Sequence, residues 1–228
     1  MADKLIIAID GPCGAGKSTL SKLLAQRLGY VNINTGAMYR CVALAAQRGG
    51  VDVDDEQALA QLCAGLDIHF SDNGATVWLG DEDVTTQLRT PQMSMLTSKV
   101  ALSPAVRQAM LHLQRRLGAA GGVVLEGRDI GSVVFPDAQV KFYLNASAEA
   151  RGRRRYEELV AKGMPVKLDE TIAAIRRRDA ADSGRECAPL VKADDAIEID
   201  ATALSIEQVL ERMLQVVHAY QNGADGGR

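Results

Sequence analysis

Clustered cysteines and histidines are missing from this chain. Cys13, Cys41, Cys63 and Cys187 stand far apart with no C-x-x-C pair, and His69, His112 and His218 are equally scattered. That pattern suggests no zinc site and fits a reduced, cytoplasmic setting. Positive charge is not in excess: the net charge is −3 and the pI is near 5.7, which argues against a broad nucleic-acid-binding surface. No apolar run approaches the length of a membrane span. The first apolar segment begins so early that no signal peptide is expected ahead of it. There is no internal repeat, and residues 222–228, rich in glycine, read as a frayed tail. With 228 residues, 47% hydrophobic and 24% charged, what remains is an ordinary globular chain able to bury a sizeable core.

What is present is a phosphate-binding loop. Gly11-Pro12-Cys13-Gly14-Ala15-Gly16-Lys17-Ser18, followed by Thr19, matches G-x-x-x-x-G-K-[ST] in full. Leu5-Ile6-Ile7-Ala8-Ile9 before it reads as a buried parallel strand. Leu20, Leu23, Leu24 and Leu28 after it recur at helical spacing. Strand, glycine turn and helix start together make an anion cradle, because backbone N–H groups converge on phosphate where the helix contributes positive potential. Lys17 is expected to reach the β- and γ-phosphates of a nucleoside triphosphate, and the Ser18 hydroxyl to ligate Mg²⁺.

Strand-like runs recur at 5–9, 30–33, 123–125, 140–144 and 196–199, with helical patterns at 37–47, 104–117 and 148–160. A last helix carries Ile206, Val209, Leu210, Met213, Val217 and Tyr220 on one face, and Ser205 with Gln208 forms a capping box at its start. Alternating strands and helices imply an α/β fold with a parallel sheet covered on both faces. Between about residues 66 and 87 the rhythm breaks into short β-like pieces around Asp72-Asn73-Gly74 and Gly80-Asp81. This reads as an inserted antiparallel meander, either a plain surface insertion or a substrate-handling part.

In such sheets ligands bind beyond the carboxyl ends of the strands. The loop at Gly11, the stretch Thr35-Gly36-Ala37-Met38-Tyr39-Arg40 and the stretch Gly127-Arg128-Asp129-Ile130-Gly131 all follow strands, so an acceptor site beside the triphosphate is expected. Arg40 and Arg128 suit an anionic acceptor. Asp129 reads equally as an N-cap, a metal ligand or a reader of an exocyclic amine. Glu126, at the end of the third strand, can hold magnesium's water shell. Arg151, Arg154 and Arg155 share a helical face, and Arg178, Asp182 and Arg185 are spaced i, i+4, i+7, with Ser183-Gly184 interrupting that helix. Both stretches are either solvated charged helices or a lid that closes over migrating phosphate.

Together the segments at 11–19, 35–40, 126–138 (Glu-Gly-Arg-Asp-Ile-Gly-Ser-Val-Val-Phe-Pro-Asp-Ala) and 188–190 (Ala-Pro-Leu) resemble the cytidylate kinase family, from Leu5 to about Tyr220. The resemblance implies one P-loop kinase domain over 1–228: a five-stranded parallel sheet, a monophosphate-binding insert at about 36–103 and a helical lid at about 151–188. It implies transfer of the γ-phosphate of ATP to CMP or dCMP with Mg²⁺, by a monomer, with residues 11–19 holding ATP. It assigns the acceptor phosphate to Arg40, Arg128 and Arg185, and the ribose to Asp182 with Arg178. Cytosine falls to Ser98, Arg107 and Asp129, with Tyr39 packing nearby and Thr35 lining the pocket. Lys17 and the arginines 128, 178 and 185 then carry the charge of the transfer. Two positions depart from the family. Asn34 stands where an aspartate is usual, so a carboxylate near the acceptor or metal is missing, and Ala180-Ala181 replaces more charged residues of the lid. A guanine-nucleotide switch would need Asn-Lys-x-Asp, which does not occur. A kinase for another small acceptor, such as AMP, UMP or shikimate, is a nearer rival, and an ATP-driven nucleic-acid motor a remote one.

Overall fold

The computed structural model describes residues 4–185 and 188–225; Cys187 and residues 226–228 of the expected tail lie outside the described residues. Five strands form a parallel sheet: β1 (Ile6–Asp10), β2 (Val31–Asn34), β6 (Val123–Glu126), β7 (Val140–Asn145) and β8 (Ile197–Asp200), in the order β2-β6-β1-β7-β8. Each lies within a residue or two of the apolar run that predicts it. The meander is also present, as an antiparallel sheet of β3 (Ile68–Ser71), β4 (Thr76–Leu79) and β5 (Glu82–Asp83).

Neighbouring residues of β1 point to opposite faces and seed two cores. Ala8 joins one with Met38 and Val42 of α2 (Thr35–Gly49), Val106 and Met110 of α5 (Pro104–Gly118), and Ile68 and Val77 of the meander. Ile7 and Ile9 join the other with Leu20 and Leu24 of α1 (Lys17–Leu28) and Val209, Met213 and Val217 of α8 (Ile206–Asp225). The α8 capping box forms as expected: the Gln208 amide donates to Ser205 Oγ at 3.2 Å, and the Ser205 amide donates to Gln208 Oε1 at 2.9 Å. Tyr220 departs from its apolar face and is exposed. A helix of 20 residues is about 30 Å long, longer than the strands it covers. The helix also runs through Asn222 and Gly223 to Asp225, where sequence suggested fraying.

Two helices carry no clear sequence signal: α3 (Glu56–Ala64) and α4 (Pro91–Val100). Leu59 is the one fully buried residue of α3, with Leu62 and Cys63 only partly buried against the same core, so its apolar stripe is short. Among the described residues no helix is long and apolar enough to cross a membrane.

Helices α6 (Ala148–Ala161) and α7 (Leu168–Ser183) form a hairpin beside the carboxyl edge of the sheet. Their contact depends on Gly152, where a Cβ would lie 2.4 Å from Ile172 Cγ1 and 3.0 Å from Ile172 Cα. A backbone atom cannot swing aside as a side chain can, so α7 would have to retreat. Gly152→Ala is therefore expected to lower the melting temperature by roughly 2–10 °C. An unchanged melting curve would show that this approach is not tight.

Candidate active site

The loop after β1 folds as it does because glycine alone fits three of its positions. Gly11 has φ +142°, and a Cβ there would sit 2.0 Å from the Leu144 carbonyl oxygen. Gly14 and Gly16, at φ +79° and +100°, bend the chain into the start of α1, whose first amides receive no side-chain cap from Gly16. Those amides and the helix dipole favour an anion. Lys17 lies back across its own loop, donating to the carbonyls of Gly11 at 2.6 Å and Pro12 at 2.7 Å. Burial, reinforced by the Arg128 guanidinium and opposed by Glu126, pushes its ammonium down to about 7.

Ser18 Oγ donates to Glu126 Oε2 at 2.8 Å. The other carboxylate oxygen, Oε1, is buried with no partner among the described residues. A hydroxyl beside a carboxylate with a spare oxygen is a hard donor pair. Among the described residues no group of three His, Cys, Asp or Glu could enclose a metal. Magnesium fits this arrangement, since it retains several waters and completes its shell with phosphate oxygens.

A cleft of about 390 Å³ opens at this edge. It is lined by Cys13, Gly14, Gly16, Lys17, Ser18 and Thr19 of the loop, and by Thr35, Tyr39, Arg40, Ser98, Arg107, Arg128, Asp129, Arg178, Asp182 and Arg185. Gly11, Pro12 and Ala15 do not line it. They are buried behind the loop, Ala15 in the core shared with α1 and α8. Thr35 Oγ1 donates to the Glu126 carbonyl at 2.7 Å, tying β2 to β6. Ser98 Oγ donates to the Ser94 carbonyl at 3.1 Å, which leaves its oxygen free to accept. Tyr39 has Gln114 as hydrogen-bond partner, and burial pushes its phenol up to about 12. Arg107 pairs with Asp129 through one guanidinium nitrogen. Burial raises the Asp129 carboxyl against the pull of Arg107.

Asp182 is the electrostatic centre of the cleft's outer wall. Its Oδ2 accepts from Arg128 Nε at 2.9 Å, and its Oδ1 accepts from Arg185. Burial opposes its charge, yet Arg128 and Arg185 outweigh that and hold its carboxyl below the usual carboxylate range. The Nε atoms of Arg40, Arg178 and Arg185 are buried with no partner among the described residues. Burial and the neighbouring guanidiniums push Arg40 and Arg185 down. The Cys13 thiol shifts down as well: burial would raise it, but Arg178, Arg128 and Lys17 prevail. The whole edge is poised for negative charge.

Several expectations need correction. Arg151 does not share a ligand-facing surface with Arg154 and Arg155. It is buried, donating to the carbonyls of Ala146 at 2.8 Å and Cys13 at 2.9 Å and pairing with Asp179 at 2.6 Å, so it fastens the hairpin to the phosphate loop. Arg154 and Arg155 do line the cleft. Helix α7 ends at Ser183, so Arg185 reaches Asp182 from the following turn rather than along a helix. Asp129 is not a side-chain N-cap; it makes no capping bond to the turn that follows it. Asn34 has a structural part that its sequence position did not suggest: Oδ1 accepts from the Ala37 amide at 2.9 Å and caps α2. Thr97 and Ile206 also line the cleft. Neither carries a sequence signal beyond its spacing on a helix.

A family model described as cytidylate kinase matches residues 7–219. A cytidylate kinase from Syntrophotalea carbinolica is 61% identical over 227 residues, covering 99% of this chain and 97% of the relative. One from Geobacter sulfurreducens is 59% identical over 224 residues, covering 97% and 96%. Among solved structures, a shikimate kinase from Bacteroides thetaiotaomicron aligns with a TM-score of 0.51 at 16% identity, over 94% of this chain and 98% of that one. A gluconokinase from Sinorhizobium meliloti aligns with a TM-score of 0.52 at 13% identity, over the full length of both. These two share the fold alone, whereas the sequence matches span almost the entire length and include every segment that lines the cleft: the chain belongs to the cytidylate kinase family.

Proposed function

We propose that this protein transfers the γ-phosphate of ATP to CMP or dCMP, giving ADP and CDP or dCDP. The observation that carries this reading is the buried Arg107–Asp129 pair, set with Ser98 in the same cleft as the phosphate-binding loop. Cytosine offers an amino donor beside ring acceptors. Asp129 and Ser98 accept from the amine, and Arg107 donates to the ring. Uracil would turn a carbonyl toward Asp129, leaving two acceptors opposed, and unpaired buried polar groups reject a substrate strongly. Arg40, Arg128 and Arg185 hold the acceptor phosphate, Asp182 and Arg178 the ribose, with Tyr39 and Thr35 closing the wall. Residues 11–19 hold the triphosphate.

The acceptor's phosphate oxygen is already ionised, so no strong general base is needed. The protein aligns the attacking oxygen, the phosphorus and the leaving oxygen, and neutralises spreading charge. Lys17 leaves its own loop carbonyls for phosphate oxygens, and the Arg128, Arg178 and Arg185 guanidiniums supply further positive charge. Ser18 and Glu126, the latter through water, would hold Mg²⁺, which when bound neutralises charge across the phosphates. The insert at about 36–103 brings in the acceptor, and the hairpin within about 151–188 acts as a lid that excludes water. The resemblance to the family carries with it the expectation of a monomer. The scattered cysteines suit the cytoplasm.

Lys17→Ala is expected to lower turnover about 10²–10³-fold; near-normal turnover would remove Lys17 from the reaction. An acceptor screen by ADP release should rank CMP and dCMP above UMP, AMP and shikimate, and Asp129→Ala should lose the preference for CMP over UMP. An equal rate with UMP in the unaltered enzyme would refute the base assignment. Asp182→Asn leaves Arg128 and Arg185 buried without a counter-charge and should cost roughly 3–5 kcal/mol. Because the folded carboxyl titrates below the ordinary aspartate range, its contribution is complete above that range and is lost as pH falls through the lower folded value. Thermal melts should therefore show the full gap between wild type and Asp182→Asn at pH 5 and above. That gap should narrow only in stronger acid.

A further inference from the structure

The turn that follows Asp129 is capped by the wrong aspartate. Residues Ile130–Val134 form a single wide helical turn, and Asp129 stands at its N-cap position with φ −144° and ψ 24°. Its own main chain closes the turn: the amides of Val133 and Val134 donate to the Asp129 carbonyl at 2.9 and 3.1 Å. An aspartate at such a position ordinarily turns its carboxylate onto the first free amides. Here it makes no such bond. The first two amides are taken instead by Asp10, 120 residues away along the chain. Ile130 N–H donates to Asp10 Oδ1 at 2.9 Å, and Gly131 N–H donates to Asp10 Oδ2 at 2.7 Å.

Asp10 is the last residue of β1, immediately before the phosphate-binding loop, and is only 5% exposed. Burial raises its carboxyl to about 6, with Asp129 and Lys17 the charged side chains that act on it. The two amide bonds oppose that rise, and both oxygens accept. No ion pair to Asp10 forms among the described residues, so its two strong bonds are those to the turn. Gly131 is held close on the other side: a Cβ there would lie 3.1 Å from Lys141 Cδ and 3.5 Å from Asp10 Oδ2.

We propose that Asp10 is a positioning residue for base selectivity: by capping the Ile130–Gly131 turn in place of Asp129, it frees the Asp129 carboxylate to face Arg107 and the acceptor. This rests on the reading that Arg107 and Asp129 recognise the acceptor's base. Remove the Asp10 carboxylate and two buried amides lose their acceptor. The nearest replacement is the Asp129 side chain, one residue before them. Capping the turn itself would draw Asp129 away from Arg107. The same carboxylate joins the donor loop to the acceptor-reading segment, since Asp10 directly precedes Gly11 and its partners Ile130 and Gly131 directly follow Asp129.

The test is Asp10→Asn, which keeps the volume but sets an amide NH₂ against one of the two N–H donors. The ratio of kcat/KM for CMP to that for UMP should fall about tenfold, chiefly through the KM for CMP, with the KM for ATP less affected. Gly131→Ala, which crowds the joint against Lys141 and Asp10 while leaving the Asp10 carboxylate in place, should lower the same ratio by a smaller factor. A folded Asp10→Asn enzyme that loses thermal stability but keeps the wild-type ratio would mean a merely structural role and overturn the proposal. If Asp10→Asn does not fold, an unchanged ratio in Gly131→Ala overturns it as well. Should wild type itself show no preference for CMP over UMP, the base assignment fails, and with it the need for Asp129 to be freed.

Discussion

Mutual repulsion among cations is the constraint around which this edge of the molecule is organised. Lys17, Arg40, Arg128, Arg178 and Arg185 converge on one cleft, and burial weakens the water that would otherwise screen them. The cost is visible in the groups themselves: burial first, and neighbouring guanidiniums after it, drive Lys17 down to about 7 and also depress Arg40 and Arg185. Two buried carboxylates offset it. Glu126 lies among the loop residues and Asp182 among the arginines, and each serves more than one cation. The remaining positive charge is what a phosphate chain neutralises.

That arrangement depends on strand order. In the sequence β2-β6-β1-β7-β8 the first strand lies at the centre, with β6 beside it. The loops after β1, β2 and β6 therefore leave the same edge, where open parallel sheets hold their ligands. Backbone and side chain then lock the loops to one another. Thr35 holds the Glu126 carbonyl, Ser18 holds the Glu126 carboxylate, and Arg151 reaches from α6 to the Cys13 carbonyl. The phosphate loop is thus braced from both sides by elements far away in sequence, which gives a flexible glycine turn a single shape.

The five sheet strands, the meander and the phosphate loop were legible because each writes its pattern locally: short apolar runs, turn residues, or glycines at fixed offsets. Helix α3 was not, since it buries little beyond Leu59. The residues assigned to the acceptor came from matched motifs, and the structure brings all ten of them into one cleft. Spacing on a helix failed for Arg151 because periodicity names a face without saying what the face meets. Arg151 meets Asp179 and the loop carbonyl; Arg154 and Arg155, about one turn on, meet the cleft. Asn34 looked like a lost carboxylate, yet an amide oxygen caps α2 as well as a carboxylate oxygen would. Asp10 carries no local signal at all, because its partners are 120 and 121 residues distant.

The buried carboxylates in and behind this cleft differ in what they can be asked to do because they differ in how many of their oxygens are engaged. Asp10 uses both on backbone amides and Asp182 uses both on arginines, so each holds its surroundings in place. Glu126 keeps one oxygen without a partner among the described residues. Asp129 pairs with Arg107 through a single oxygen and makes no bond to its own turn. Recognition and metal binding need acceptors that are held yet unspent, which is why the proposed roles fall on these two. Chemical identity alone would make all four equivalent; the hydrogen bonds each already satisfies set them apart.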